Sequence, residues 1–408
     1  MPTALTAARP EPRVRTAARA TALAFILNGF AFASWASRIP QIRDTLHLSS
    51  AELGLVLLAA AIGSVLGLPA SGPVVHRWGT RGTTTAMALL LALSFAGIAI
   101  GHRFGVLPLV VSLFFMGLAY GVWDVAMNVH GAQVEQHVGR AIMPRFHAGY
   151  SVGTVAGALV GALAVAARVS VTVHLLVVAV VVGVVAPLGV RGFLDAEPAP
   201  RTAEGEAPRR SALSAWRERR TLLIGICVLA FAFTEGTAND WIGVALIDGH
   251  GAPAAVGTLG FAVFLSAMTT ARWFGPHVLD RFGRVPVVRA LTVVAVIGLL
   301  LFVFGPNIAV ALIGALLWGA GASLGFPVGM SAGSDDPVHA AGRVSVISSI
   351  GYCAFLGGPP LIGFLGEHVT VLRGLLAVGG LLVVAAVLAP VLRPPAGTPA
   401  APEASPEG

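Results

Sequence analysis

Gly72-Pro-Val-Val-His76-Arg77-Trp-Gly79-Thr-Arg81 and Gly275-Pro-His-Val-Leu-Asp280-Arg281-Phe-Gly283-Arg284 decide the fold of this chain. Each is a basic turn following a long apolar run. His76, Arg77 and Gly79 align with Asp280, Arg281 and Gly283 at one constant offset, half of the 408-residue length. An apolar chain that repeats itself once at half length is expected to form two bundled membrane halves, a plan shared by secondary transporters.

The composition agrees. Hydrophobic residues make up 56% and charged residues 11%, against about 25% charged in soluble domains. Mean hydropathy is +0.84. A soluble chain this apolar could not cover its own surface. The net charge of +7 is carried by 26 arginines against 19 acids, with no lysine. These arginines lie in short loops, without the basic helix or RNA-binding aromatic pattern that nucleic acid requires, so no nucleic-acid partner is expected. Cys227 and Cys353 fall inside apolar runs and read as buried hydrophobes.

Twelve spans are predicted, each near the ~20 residues needed to cross a bilayer: 20–38, 52–74, 83–101, 106–129, 145–166, 170–190, 221–246, 254–275, 286–305, 308–331, 343–365 and 371–392. The first has a signal-peptide-like start, with Arg13, Arg15 and Arg19 before an apolar run and Ala31-Phe-Ala33 beyond. Eleven further spans favour an uncleaved helix. The expected organisation is a disordered tail (1–16), a six-helix half (17–190), a linker (191–220), a second half (221–393) and a disordered tail (394–408). With both termini cytoplasmic, 21 arginines fall in inner loops and tails and five outside, namely Arg38, Arg43, Arg103, Arg168 and Arg373. That bias obeys the positive-inside rule and predicts a multi-pass membrane protein; the membrane expected is the bacterial cytoplasmic one.

The repeated turn resembles motif A of the major facilitator superfamily, Gly-x-x-x-Asp-Arg-x-Gly-Arg-[Arg/Lys], which joins the second and third helices of each half. The resemblance spans 17–392. Asn28-Gly-Phe, Trp35-Ala-Ser-Arg38-Ile-Pro40, Asp124-Val-Ala-Met-Asn128, Arg140-Ala-Ile-Met-Pro-Arg-Phe-His147 and Glu235-Gly-Thr-Ala-Asn239-Asp240-Trp241 are similar to the MosC/YbjJ-like branch. The resemblance implies an all-α membrane fold of twelve helices in two pseudo-symmetric halves. It also implies a secondary transporter working by alternating access, with a lean toward polyols or sugars from a rhizopine role proposed in the branch. Two departures stand out. His76 replaces the motif aspartate, and Pro276 stands where the second copy wants glycine. In the family this aspartate accepts hydrogen bonds from a neighbouring helix N-terminus. Histidine cannot replace a carboxylate at a positive dipole end, so Asp280 is expected to do most of the locking within the gating set Gly72, His76, Arg77, Gly79, Arg81, Asp280, Arg281, Gly283 and Arg284.

Ionisable groups at membrane depth mark function, because each costs roughly 2.5–3.5 kcal/mol at the bilayer centre on insertion scales. Glu235 lies near the middle of the seventh span, with Asn239 at i+4 on the same face. Asp124 and Asn128 form a second such pair in the fourth span. Glu235, with Asp124, is the expected proton-coupling site. The structural alternatives are a Glu235–Arg pair and a solvated helix-end Asp124. Tyr150 and Tyr352 succeed matching glycines, Gly149 and Gly351. The expected substrate-contacting set is Asn28, Trp35, Arg38, Asp124, Asn128, His147, Tyr150, Glu235, Asn239, Asp240, Trp241 and Tyr352. Trp35 also reads as an interfacial anchor, and Arg38 as snorkelling outward or, turned inward, pairing with Asp240 or an anionic substrate. Gly149, Gly153, Gly157 and Gly161 form a smooth helix-packing stripe.

No nucleophile elbow, Walker loop or Cys/His ligand spacing is present. No enzyme activity, catalytic residue, cofactor or metal is therefore expected, and the partners are a small-molecule substrate, protons and the lipid bilayer, with a monomeric state. Rival readings are a drug or metabolite exporter running as a proton antiporter, and a non-transporting receptor or scaffold on the same fold.

Overall fold

A computed structural model describes residues 11–139, 142–194, 214–336 and 339–394. Among these, eleven helical stretches are long and apolar enough to cross a membrane. One of them, Ser50–Gly101, runs for 52 residues, about 78 Å at 1.5 Å per residue and far beyond the ~30 Å hydrocarbon core. It is two crossings joined at Gly79, whose φ of 67° and ψ of 169° are non-helical. The twelve crossings are thus as expected.

The first span is Pro12–Ala36, continued past a break at Ser37 and Arg38 by Ile39–Leu46. Second and third spans flank Gly79. The fourth to sixth are Val106–Val138, Met143–Ala166 and Val171–Gly189. The seventh to ninth are Arg219–His250, Ala254–Phe282 and Arg284–Phe304. The tenth is broken into Ile308–Ala322 and Gly325–Gly333. The eleventh is Ala340–Val369, and the twelfth is Leu376–Leu388 after a short turn, Val371–Gly374. Several helices run well past the apolar windows, because a helix continues into water once its apolar part is anchored. The expected N-terminal tail is shortened for the same reason: residues 12–16 are already helical. Residues 1–10 of that tail, 195–213 of the linker, 395–408 and the start of the Arg140–His147 motif lie outside the described residues.

Local chemistry sets the helix ends. Ser49 and Glu52 form a reciprocal capping box at the start of the second span. Ser170 and Asn307 accept from Val173 and Val310 as N-caps of the sixth and tenth spans. The two motif glycines adopt one conformation, Gly79 at φ 67°, ψ 169° and Gly283 at φ 78°, ψ 165°. This region is accessible essentially to glycine alone, which explains why both copies keep it.

One face of the bundle, the terminal face, is where the first span begins at Pro12 and the last ends near Leu392; the motif turns are there too. The halves meet where the second span packs on the eleventh and the fifth on the eighth. Three polar contacts between the halves lie toward the opposite face. Arg43 pairs with Asp248, Thr258 Oγ1 donates to the Ser37 carbonyl at 3.4 Å, and Ala51 N donates to Glu367 at 3.5 Å. Gly54 allows the Pro359 backbone so close that an added Cβ would lie 2.5 Å from its carbonyl oxygen. The expected glycine stripe of the fifth span faces the first, with Gly153 and Gly157 against the backbone of Ile26 and Phe30. The halves are therefore joined at the opposite face.

Candidate functional site

The seventh span carries Glu235 about sixteen residues along its helix, roughly 24 Å from its start at Arg219. Its Oε2 accepts from Arg272 Nη2 of the eighth span at 2.7 Å. Arg272 Nε also donates to the Ser323 carbonyl at 2.9 Å. Ser323 lies at the break in the tenth span, where the C-terminal carbonyls of Ile308–Ala322 need donors and favour a cation. One guanidinium thus ties together three helices. Glu235 and Arg272 each keep about a quarter of their side-chain surface accessible (25% and 28%), so the pair lines a cleft and is not sealed in a core.

Asp124 faces the same space from the other half. Asn128 Nδ2 donates to its carboxylate at 3.3 Å and to its backbone carbonyl at 2.8 Å. Asp124 is open to water although protein surrounds it on most sides, the signature of a group lining a deep, open cleft. Tyr150 lies within electrostatic reach of Glu235, Asp124 and Arg272 together, and Tyr352 within reach of Asp124. His147 is exposed, feels the Arg272 charge and packs edge-on to Phe25 at 5.2 Å. The fold therefore gathers Asp124, Asn128, His147, Tyr150, Glu235 and Tyr352 from both halves around one space.

The other expected contacts are less exposed than Asp124 and His147. Asn28, Trp35 and Trp241 are buried among helices at 3%, 4% and 0% exposure. Asn28 Nδ2 and Trp241 Nε1 are unpartnered. Asn239 and Asp240 are half-buried, and Asn239 Oδ1 has no partner. Arg38 neither snorkels nor meets Asp240. It is 2% exposed and donates from Nε to His174 Nδ1 of the sixth span at 2.8 Å, because the helix break at Ser37–Arg38 turns it away from the cleft.

Arg272 is the residue that sequence reading missed. It sits near the end of the expected 254–275 span and counts with the inner-loop arginines, yet its helix continues to Phe282, leaving it more than two turns inside. In the gating set, Arg284 donates to Asp335 at 2.7 Å and Ser331 Oγ at 2.9 Å, and Arg281 stacks over Phe282 at 5.3 Å. His76, Arg77, Arg81 and Asp280 are exposed with no hydrogen-bond or ion-pair partner among the described residues.

Known proteins share both this sequence and this shape. The chain is 33% identical over 92% of its length to an uncharacterized transporter, y4wD, of Sinorhizobium fredii, covering 98% of that protein. It is 29% identical to the membrane protein MosC of Rhizobium meliloti over 90% of this chain and 89% of that one. Its fold matches the crystal structure of the nucleoside transporter NupG with a TM-score of 0.75 at 16% identity, over 93% of this chain and 99% of that one. The sequence profile of the Major Facilitator Superfamily matches residues 21–355. The chain belongs to the major facilitator superfamily of membrane transporters, and is not an enzyme.

Proposed function

We propose that the chain is a proton-coupled secondary transporter of a small hydroxylated solute, sugar- or polyol-like, working by alternating access. The observation that carries this reading is the Glu235–Arg272 ion pair in a cleft reached by water. A proton on Glu235 cancels its charge and frees Arg272. Loss of that proton restores an attraction that favours the paired state, so the pair couples protonation to conformation. Asp124 supplies a second carboxylate in the same space, and Asn128, Tyr150 and Tyr352 supply the neutral donors and acceptors that hydroxyl groups need.

The arginine bias supports insertion in a bacterial cytoplasmic membrane with both chain ends and the motif turns in the cytoplasm. In that orientation the face where the halves are joined is external and the cleft opens inward. The halves contribute one cleft within a single chain, which supports a monomer as the working unit.

Purified protein in liposomes tests the coupling once a solute is found by thermal-shift screening of polyols and sugars. Glu235→Gln should abolish pH-driven accumulation while leaving counterflow exchange. Undiminished accumulation in that variant rejects the role.

A further inference from the structure

A second cavity, separate from the cleft, lies at the opposite face within the N-terminal half. It has a volume of 520 Å³ and is bounded by the break in the first span, the third–fourth loop and the fifth–sixth turn. Its cationic lining is Arg38, Arg103 and Arg168, with His102 beside them, and no acidic residue lines it. Arg38 is 2% exposed and holds its guanidinium against His174, yet its Nη2 has no partner. Gln41, also in the lining, has both amide atoms buried and unpartnered. Unsatisfied buried donors of this kind cost about 1–3 kcal/mol each, more when charged.

Two further features point the same way. The sixth span begins here at Ser170, so the positive end of a 19-residue helix faces the cavity, with free backbone N–H groups in its first turn. Ser170 Oγ accepts from Val173 N, leaving its hydroxyl hydrogen for a ligand. Arg168 at the rim is held at φ 56°, a left-handed conformation uncommon for a side chain of this size.

We propose that this cavity binds a phosphate-type oxyanion. Arg38 and Gln41 supply the buried donors, the sixth-span N-terminus the dipole, and Arg103 and Arg168 the rim charges. The cavity exceeds what bare phosphate fills, which suits a phosphomonoester or a phospholipid headgroup.

Thermal unfolding of the purified full chain tests this, since a ligand bound only by the folded state raises the midpoint. One arm titrates inorganic phosphate and glycerol phosphate against chloride at equal ionic strength. The other titrates dihexanoyl phosphatidylglycerol against dihexanoyl phosphatidylcholine. At least one phosphate-bearing probe should raise the midpoint by several degrees, and the exposed-rim double variant Arg103→Ala/Arg168→Ala should need about tenfold more probe for the same shift. Response to the soluble phosphates identifies a free oxyanion as the source, and response to phosphatidylglycerol alone identifies a headgroup. No shift from any probe, or the same shift in the double variant, overturns the proposal. Arg38→Gln, if it folds, should abolish the response outright.

Discussion

The two motif turns share a backbone and almost nothing else. Gly79 and Gly283 adopt the same glycine-only conformation, yet their surroundings differ in kind. On the C-terminal side Arg284 reaches Asp335 at 2.7 Å and Arg220 reaches the same carboxylate at 2.8 Å. Beside them Arg343 pairs with Glu218 at 2.6 Å and Asp336 at 3.3 Å. On the N-terminal side Thr80 stands where Arg284 stands in the second copy, and Arg77 and Arg81 project outward.

A neutral device holds the terminal face of that half. His130, fully buried, stacks on Phe193 with ring centres 3.7 Å apart. The Thr21 hydroxyl donates to the Ala17 carbonyl, so its oxygen accepts from His130 Nδ1 at 2.9 Å. His130 Nε2 then accepts from Leu194 N at 2.9 Å. The two turns thus share a geometry, while the interactions that anchor each half differ, ionic in one and aromatic in the other.

Removing the shared carboxylate should break the comparison most sharply. Asp335→Ala strands two arginines beside a 5%-exposed position. It should cost about 3 kcal/mol in unfolding free energy, the low end for a broken buried pair because the arginines keep some solvent. Arg77→Ala should change stability by no more than about 0.5 kcal/mol. Equal effects in denaturant titrations would show that the two turns are energetically alike. In transport assays Asp280→Asn should reduce rate more than His76→Ala, since of the two only Asp280 brings the negative charge that a helix N-terminus favours when the cleft closes on the terminal face. A larger loss from His76→Ala refutes this.

His130→Phe keeps the stack and loses two hydrogen bonds. It should cost about 1–2 kcal/mol, and that cost should be the same in low and high salt, whereas the Asp335→Ala effect should shrink as salt screens its exposed partners.

Acid gives the smallest signal. Burial raises the Glu218 carboxyl, but hydrogen bonds from Arg343 and Thr221 outweigh it and hold the group below its ordinary 4.5. A depressed carboxylate contributes stability above its unfolded pKa and loses it as pH falls through the folded value. Stability of the wild type should therefore decline as pH drops below about 4.5, the ordinary glutamate range, and this limb should be shallower in Glu218→Gln by thermal unfolding.

Much of the architecture was legible because hydropathy and arginine placement are one-dimensional signals. Crossing number, half-length symmetry and the glycine stripe of the fifth span need only period and spacing. The cleft was legible in part. Asp124, Asn128, Tyr150, Glu235 and Tyr352 are polar groups at membrane depth, and cost alone singles them out. Trp241 shows where that reasoning stops. It neighbours Asp240 in sequence, yet successive residues point about 100° apart around a helix, and Trp241 turns into the packed core at 0% exposure. Arg272 shows the opposite failure, a charge near a loop that is in fact well inside a helix.

The chain by itself determined how many times it crosses the bilayer, where it repeats and which glycines must turn, because these depend on apolar length and on a conformation no other residue adopts. Tertiary structure alone decided that Glu235 is bound to Arg272, and that Arg38 belongs to a separate cationic cavity with His174. Those outcomes depend on the rotation of each helix about its axis and on the reach of long arginine side chains, neither of which hydropathy specifies.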